Sequence, residues 1–336
     1  MAMRDEFSYH VTKFFGEFLP MQLGASANTV AAYRDTFVQL IGYMEANEGI
    51  KANRLGITDI TADAVEGFLA YLEQGRGVCV STRNLRLASI HSFFKYVQRH
   101  DLKYFSQCAS VLTIPFKKTT KEPMTYLSVE EVQALLALPD AKTRKGIRGL
   151  AIVATLYETA ARVQEVIDLA PHQVRLDGRP TIELHGKGGK VRLAPIGGGL
   201  VPILGKYFSA YAISDASPTV FFNNQGKRMT RAGIQYVVDK FVSAAKEVCP
   251  SIKGKNVTNH TFRHSKAMHL LEAGVNLVYI RDFLGHSSVT TTEIYARANP
   301  ELKRKYIEQS ATALNTGKSY SDNDKQDLIN WLKKSL

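Results

Sequence analysis

The chain has 336 residues with 43 Lys and Arg against 31 Asp and Glu, a formal charge of +12 that points to a polyanionic partner. At 45% hydrophobic and 10% aromatic it is too apolar for a disordered basic tail, and its length suits about two domains. No apolar run approaches the ~18–20 residues that span a bilayer, and the opening MAMRDEFSYH lacks the apolar core of a signal peptide, so a soluble cytoplasmic protein without a membrane partner is expected.

In chain order, ANTVAAYRDTFVQLIGYMEA sets Val30, Tyr33, Phe37, Leu40, Ile41 and Met44 on one stripe at helical spacing. Two more helices follow. AVEGFLAYLEQ offers Val65, Phe68, Leu69 and Leu72, and STRNLRLASIHSFFKYVQRH offers Leu85, Ile90, Phe93, Phe94 and Val97, with Ser81 as its N-cap. The polar side of the latter carries Arg83, Arg86, Lys95 and Arg99, either a solvated face or one turned toward phosphates. Between about Val111 and Tyr126 the periodicity fails. There TIPFKKTTKEPMTY supplies two prolines and three lysines in a polar extended run. The expected organisation is a helical domain over 1–112, a linker over 113–126, a second domain over 127–316 and a tail helix over 317–336.

The second domain opens at Ser128, whose spacing to Glu131 is that of a capping box leading into VQALLAL. GLAIVATLYETAARVQEVIDL, apolar nearly all round at its start, reads as a central core helix. TIELHGKGGKVRLAPI alternates Ile182 and Leu184 before, and Val191 and Leu193 after, a Gly-Lys-Gly-Gly turn, which predicts a β-hairpin. From Arg231 onward the chain reads as helical with short breaks. The fold class is therefore mostly α with a small antiparallel β-hairpin or sheet. Three cysteines, Cys79, Cys108 and Cys249, are an odd, widely spaced set that fits neither a disulfide framework nor a zinc site, and each is expected reduced and buried.

The chemistry gathers in the second domain. His260 and Arg263 are three apart and share a helix face, and Thr258 or Asn259 can cap that helix, so an anion fits there. Gly285-His286 ends YIRDFLGH, and Tyr295 lies nine residues on, which adds one nucleophile to a group of donors that includes Arg162 and Lys187. Singly, His260 reads as a histidine satisfied by backbone and Tyr295 as a core aromatic; only the constellation argues otherwise. His264 and His269 read as packing or surface residues. A zinc set of His260, His264 and His286 lacks a supporting Cys or carboxylate cluster, so no metal is expected. The Gly-Lys-Gly-Gly turn precedes a strand and has no Gly-Lys-Ser/Thr ending, which argues against a nucleotide site, and no cofactor is expected.

The stretches ARVQEVIDL, HGKGGKVRLAPI and HTFRHSKAMHLLEAGVNLVYIRDFLGHSSVTTTEIYA resemble the signature of the tyrosine recombinases, or phage integrase family, across roughly residues 126–300. ANTVAAYRDTF is similar to that family's core-binding domain. Ala160 stands where the family usually has Gly, Gln164 where it often has Ser, and 41 residues follow Tyr295, more than Xer-type resolvases usually carry. The resemblance implies a helical core-binding domain joined to a mixed α/β catalytic domain, closing around double-stranded DNA with inverted core sites, two protomers per site and four in the synapse. It assigns Tyr295 as the nucleophile of a 3′-phosphotyrosyl intermediate, Arg162 and Arg263 as holders of the non-bridging oxygens, His260 as proton acceptor and His286 as donor to the phosphate. Lys187, with Lys190 as the alternative, would protonate the 5′ oxygen, while Glu165 orients its neighbours. Lys117, Lys118 and Lys121 of the linker would meet backbone phosphates. The tail, with Leu328, Ile329, Trp331 and Leu332, would link protomers or fold back on its own domain. The expected role is recombination of a mobile element on nucleoid DNA; the rivals are a type IB topoisomerase and a non-catalytic architectural protein.

Overall fold

Aromatic packing organises the first of two units, Met1–Glu122. The computed structural model describes residues 6–119, 124–138, 141–286 and 288–298, with isolated positions 304, 308, 326 and 330. The unit comprises α1 (Glu6–Lys13), which runs on through a wider helical turn (Phe14–Gln22), then α2 (Ala27–Asn47), α3 (Ala62–Ala70), α4 (Val80–His100) and α5 (Phe105–Leu112). Phe93 of α4 meets Phe14 at 5.3 Å and Phe37 at 5.0 Å between ring centroids, both edge-on. Each ring is fully or almost fully buried, which at about 1.5–3 kcal/mol apiece ties three helices together. The α2 stripe is partly as expected: Phe37, Leu40 and Met44 are buried, whereas Val30, Tyr33 and Ile41 are only half-buried.

The helix α4 departs from its sequence pattern in three ways. It begins two residues early, with Cys79 rather than Ser81 at the N-cap position. Leu85, expected inside, is 68% exposed, and Leu87 is buried instead. Arg83, expected on the polar side, is buried; its Nη1 donates to the Pro115 carbonyl at 3.1 Å and to Asn84 Oδ1 at 3.1 Å. Only Cys108 of the cysteines is buried, since Cys249 is half-buried and Cys79 exposed.

The second unit, Pro123–Leu336, starts with α6 (Val129–Ala137), where Ser128 and Glu131 form the expected reciprocal cap. Helix α7 (Arg144–Glu158) buries nearly every residue from Ile147 to Leu156 and is the central core helix, but the single helix read through Leu169 breaks at Thr159–Arg162, where Ala160 turns left-handed. After α8 (Val163–Asp168) comes a three-stranded antiparallel sheet, β1 (Val174–Arg175), β2 (Thr181–His185) and β3 (Val191–Pro195), in that spatial order. The hairpin is where the sequence placed it, but the facing of β3 is reversed. Val191 and Leu193 are 55% and 63% exposed, and the inward positions are Arg192, paired with Leu184, and Ala194, paired with Ile182. Helices α9 (Leu200–Tyr211), α10 (Arg231–Val248), α11 (Asn259–Glu272), α12 (Leu277–Leu284) and α13 (Glu293–Ala298) complete the unit. Sequence periodicity had not assigned α1, α5 or α9. Apart from the isolated positions 326 and 330, the tail helix expected over 317–336 lies outside the described residues. No described helix is long and apolar enough to cross a membrane.

Candidate active site

The site is assembled where three chain reversals meet. Beyond α7 the chain turns through Thr159, Ala160 and Ala161, and Ala160 adopts φ +48°, a left-handed conformation strained for a residue with a Cβ. The turn sets Arg162 at the N-cap position of α8, one helical turn before Glu165. Glu165 accepts from the Arg162 backbone N–H at 2.9 Å and from Arg162 Nη1 at 2.8 Å. Arg192 reaches the same carboxylate from β3, its Nη2 donating to Oε2 at 2.9 Å. Burial pushes the Glu165 carboxyl up, but Arg192 and Arg162 outweigh it and hold the group below the usual carboxylate range.

Helix α11 supplies the next group. Thr258 stands at its N-cap position, and His260 and Arg263 follow within the first turn and a half. Arg263 is buried, its Nη1 donating to the Ala160 carbonyl at 2.7 Å and its Nη2 to the Leu284 carbonyl. Burial, then the nearby Arg162 and Arg192, bring its pKa down to about 10, so it remains a cation at neutral pH. His286, just past the left-handed Gly285 that ends α12, shares a hydrogen bond between its Nδ1 and Thr292 Oγ1 at 3.1 Å. Burial, followed by Arg263, Arg162 and Arg192, pulls this imidazole down to about 4. His260 is lowered for similar reasons, burial first and then Arg263 and Arg162.

Tyr295 is 1% exposed, in a cluster with Ala160, Ala267, Met268, Leu271, Ile280 and Leu284. Its hydroxyl meets His264 Nδ1 at 3.2 Å. His264, read from sequence as a packing or surface residue, is thus the histidine that touches the candidate nucleophile. Burial, then His260 and Arg263, bring it down to about 4. Burial raises the Tyr295 phenol, more than Arg263 and Arg162 lower it.

A cavity of about 400 Å³ opens between these reversals, lined by Arg162, Lys190, Arg192, Gly285, His286 and Thr291 among others. Arg162, Arg192 and Lys190 share its lining with the carboxylates of Glu165 and of Asp282, the latter paired with Arg281, which leaves a cationic excess, and the histidines are held low first by burial and then by their charged neighbours. Such an excess is relieved by an anion placed among the arginines. Arg192, which sequence reasoning did not select, belongs to this group; its signal was hidden in an alternation that read Val191 and Leu193 as the inner residues. The hairpin tip forms one tight turn over Lys187–Gly189, with Gly188 and Gly189 at φ +76° and +73°, a conformation that favours glycine. The Lys187 side chain and the whole of Lys121 lie outside the described residues. Tyr295 is not among the residues lining the cavity.

The cations expected to meet DNA divide into two sets. Arg83 is engaged as above, and Arg86 donates to Asp35, to the Ala32 carbonyl at 3.2 Å and to Thr36 Oγ1 at 3.1 Å, which fastens α4 to α2. Lys95 and Lys118 are exposed, as is Lys117, which pairs with Glu73 at 2.6 Å.

Comparison with known proteins identifies the family of the chain. Residues 125–301 match the phage integrase family, and residues 13–101 match the phage integrase N-terminal SAM-like domain. A Sinorhizobium fredii protein described as an integrase/recombinase, y4rC, is 34% identical over 95% of each chain. Tyrosine recombinase XerD of Listeria monocytogenes serotype 4b is 33% identical over 84% of this chain and 91% of its own. The Tn1549 transposon integrase in complex with transposon right end DNA shares the fold, with a TM-score of 0.67 at 17% identity over 90% of this chain and 99% of its own. The chain belongs to the phage integrase family and is a tyrosine recombinase, an enzyme that cleaves and rejoins DNA.

Proposed function

We propose that this recombinase cuts one strand at a time through Tyr295 and acts in the movement of a mobile element. The observation that carries the reading is the cavity lined by Arg162, Lys190 and His286, beside which the buried Arg263 is fixed to the Ala160 and Leu284 carbonyls and Tyr295 is held against His264, the next residue of the Arg263 helix. A phosphodiester gathers charge on its non-bridging oxygens as it becomes pentacoordinate, and fixed guanidinium donors stabilise that charge more than they stabilise the ground state. Attack by the Tyr295 oxygen forms the bond to phosphorus as the bond to the 5′ oxygen breaks, leaving a 3′-phosphotyrosyl link that a free 5′ hydroxyl later reverses without ATP. His260 takes the phenolic proton, Lys187 supplies one to the departing oxygen, and His286 donates to the phosphate. The burial of Tyr295 and its contact with His264 support a first step in which the hydroxyl leaves that ring.

Two protomers on inverted core sites, and four in the synapse, complete the proposal. The identity to an integrase/recombinase over nearly the whole chain favours this reading over relaxation of supercoils. The experiment begins by selecting random duplexes retained by the purified protein. A selected duplex, nicked close to the cleavage position, should trap a covalent protein–DNA band, which Tyr295→Phe abolishes while still binding. Unnicked pairs of sites should then yield joined recombinant strands. Relaxation of plasmid without joined product, or an adduct that survives Tyr295→Phe, overturns the proposal.

A further inference from the structure

Arg192 touches every reversal that builds the cavity. Its Nη1 donates to the Thr159 carbonyl at 3.2 Å, three residues before Arg162, and to the Phe283 carbonyl at 2.6 Å, three before His286. Its Nη2 takes Glu165 Oε2. Gly285 fits only without a side chain, since a Cβ there would stand 2.9 Å from Arg192 Cδ. The side chain is 11% exposed, and both of its terminal nitrogens donate to protein acceptors.

The division of Glu165 gives this contact a consequence for Arg162. Oε1 receives Arg162 Nη1, while Oε2 receives both the Arg162 backbone N–H and Arg192. Arg162 therefore holds the carboxylate by one guanidinium nitrogen. Its Nη2 has only a 3.5 Å approach to the Gly285 carbonyl, at the limit of a hydrogen bond, and Arg162 lines the cavity. A two-pronged arginine–carboxylate pair is the stronger arrangement and becomes available once Arg192 gives up its share of Oε2, which the Arg162 backbone N–H leaves with a free lone pair. We propose that Arg192 is a positioning residue which, by occupying Glu165 Oε2, keeps Arg162 from closing onto that carboxylate and leaves it turned to the scissile phosphate. This rests on the strand-cleavage reading above. Arg192 acts through Arg162, not on the DNA.

The test uses the full chain and the nicked selected duplex, made with either oxygen or sulfur at the bridging 5′ position. Arg192→Gln should bind the duplex as wild type does but form adduct about 10- to 100-fold more slowly, the scale of a misplaced catalytic group. The defect should be equal on oxygen and sulfur, because the loss concerns the non-bridging oxygens. Adding Glu165→Gln removes the charge that captures Arg162, and the double variant should recover at least about fivefold over Arg192→Gln, a gain that a merely structural loss does not give. Arg192→Lys, which keeps a cation beside Glu165, should stay within about tenfold of wild type and is read alone if Arg192→Gln does not fold. Wild-type cleavage by Arg192→Gln, rescue by sulfur alone, or no recovery on adding Glu165→Gln overturns the inference. Wild-type adduct that vanishes in Tyr295→Phe is scored in the same gel; its absence is a failure of the cleavage reading and is distinct from these outcomes.

Discussion

Acidification from pH 7 to pH 5 should weaken the catalytic unit through two imidazoles. His264 and His286 each titrate at about 4 in the folded chain, whereas a histidine in an unfolded chain titrates near ~6.5. Between those values the unfolded chain binds more protons than the folded one, so stability rises with pH and is lost as pH falls from about 6.5 toward 4. The difference at pH 5, relative to pH 7, corresponds to about 2 kcal/mol for each ring, or about 1 kcal/mol once their partial exposure is discounted, and ~2–4 kcal/mol together. Urea denaturation followed by circular dichroism at pH 7, 6 and 5 measures the slope. His264→Asn and His286→Asn should each flatten it, because asparagine can offer a hydrogen-bonding group without titrating. Ring NMR signals that titrate near 6.5, or a slope indifferent to both substitutions, would refute the reasoning. A phosphate bound beside Arg162 and Arg263 offsets the local positive potential, so the same rings should titrate higher in the DNA complex.

What could be read in the sequence was whatever packing and spacing express together. The Phe37, Leu40 and Met44 stripe, the apolar α7 and the β2 half of the hairpin follow from a rule in which apolar residues turn inward, and the Ser128 cap follows from its spacing to Glu131. The same rule misplaced Arg83 and Arg192, because a buried arginine with carbonyl and carboxylate partners looks in sequence like a surface cation. On β3 that single inversion turns Val191 and Leu193 to solvent. Arg263 and His260 were legible through their three-residue spacing, yet His264, one position further, is the residue at the Tyr295 hydroxyl. Spacing along α11 defines its faces but not which of its rings Tyr295, 31 residues further along the chain on α13, will meet. Helix α1 was missed because its extension carries Gly16 and Pro20 within an aromatic run, which obscures helical period although Phe14, Phe18 and Leu19 are buried.

Three further expectations concern the general acid, the buried cations and the strained turn. Sulfur at the bridging 5′ position leaves without a proton, so Lys187→Ala should cleave that strand nearly as well as wild type while losing about 10²- to 10⁴-fold on oxygen; rescue of Lys190→Ala instead would reassign the acid. Arg83→Ala should destabilise the first unit by about 2–3 kcal/mol and leave the salt dependence of DNA binding unchanged, whereas Lys95→Ala or Lys118→Ala should reduce that slope by about one charge; the reverse pattern in a salt titration would place Arg83 on the phosphates. Ala160→Gly tests the turn before Arg162. The left-handed φ of +48° costs alanine ~1–2 kcal/mol, which glycine relieves. Against this, glycine loses ~0.5–1 kcal/mol of extra backbone entropy and forfeits ~0.8 kcal/mol for a fully buried methyl. These contributions nearly cancel, so overall stability should change by less than about 1 kcal/mol. The lost methyl, however, comes from the cluster that encloses Tyr295, and the hydroxyl should become easier to withdraw from His264. Faster chemical modification of Tyr295 at unchanged melting temperature is the expected result. Destabilisation by more than about 3 kcal/mol would mean that alanine is not strained there and that its methyl, rather than the turn, holds Tyr295 in place.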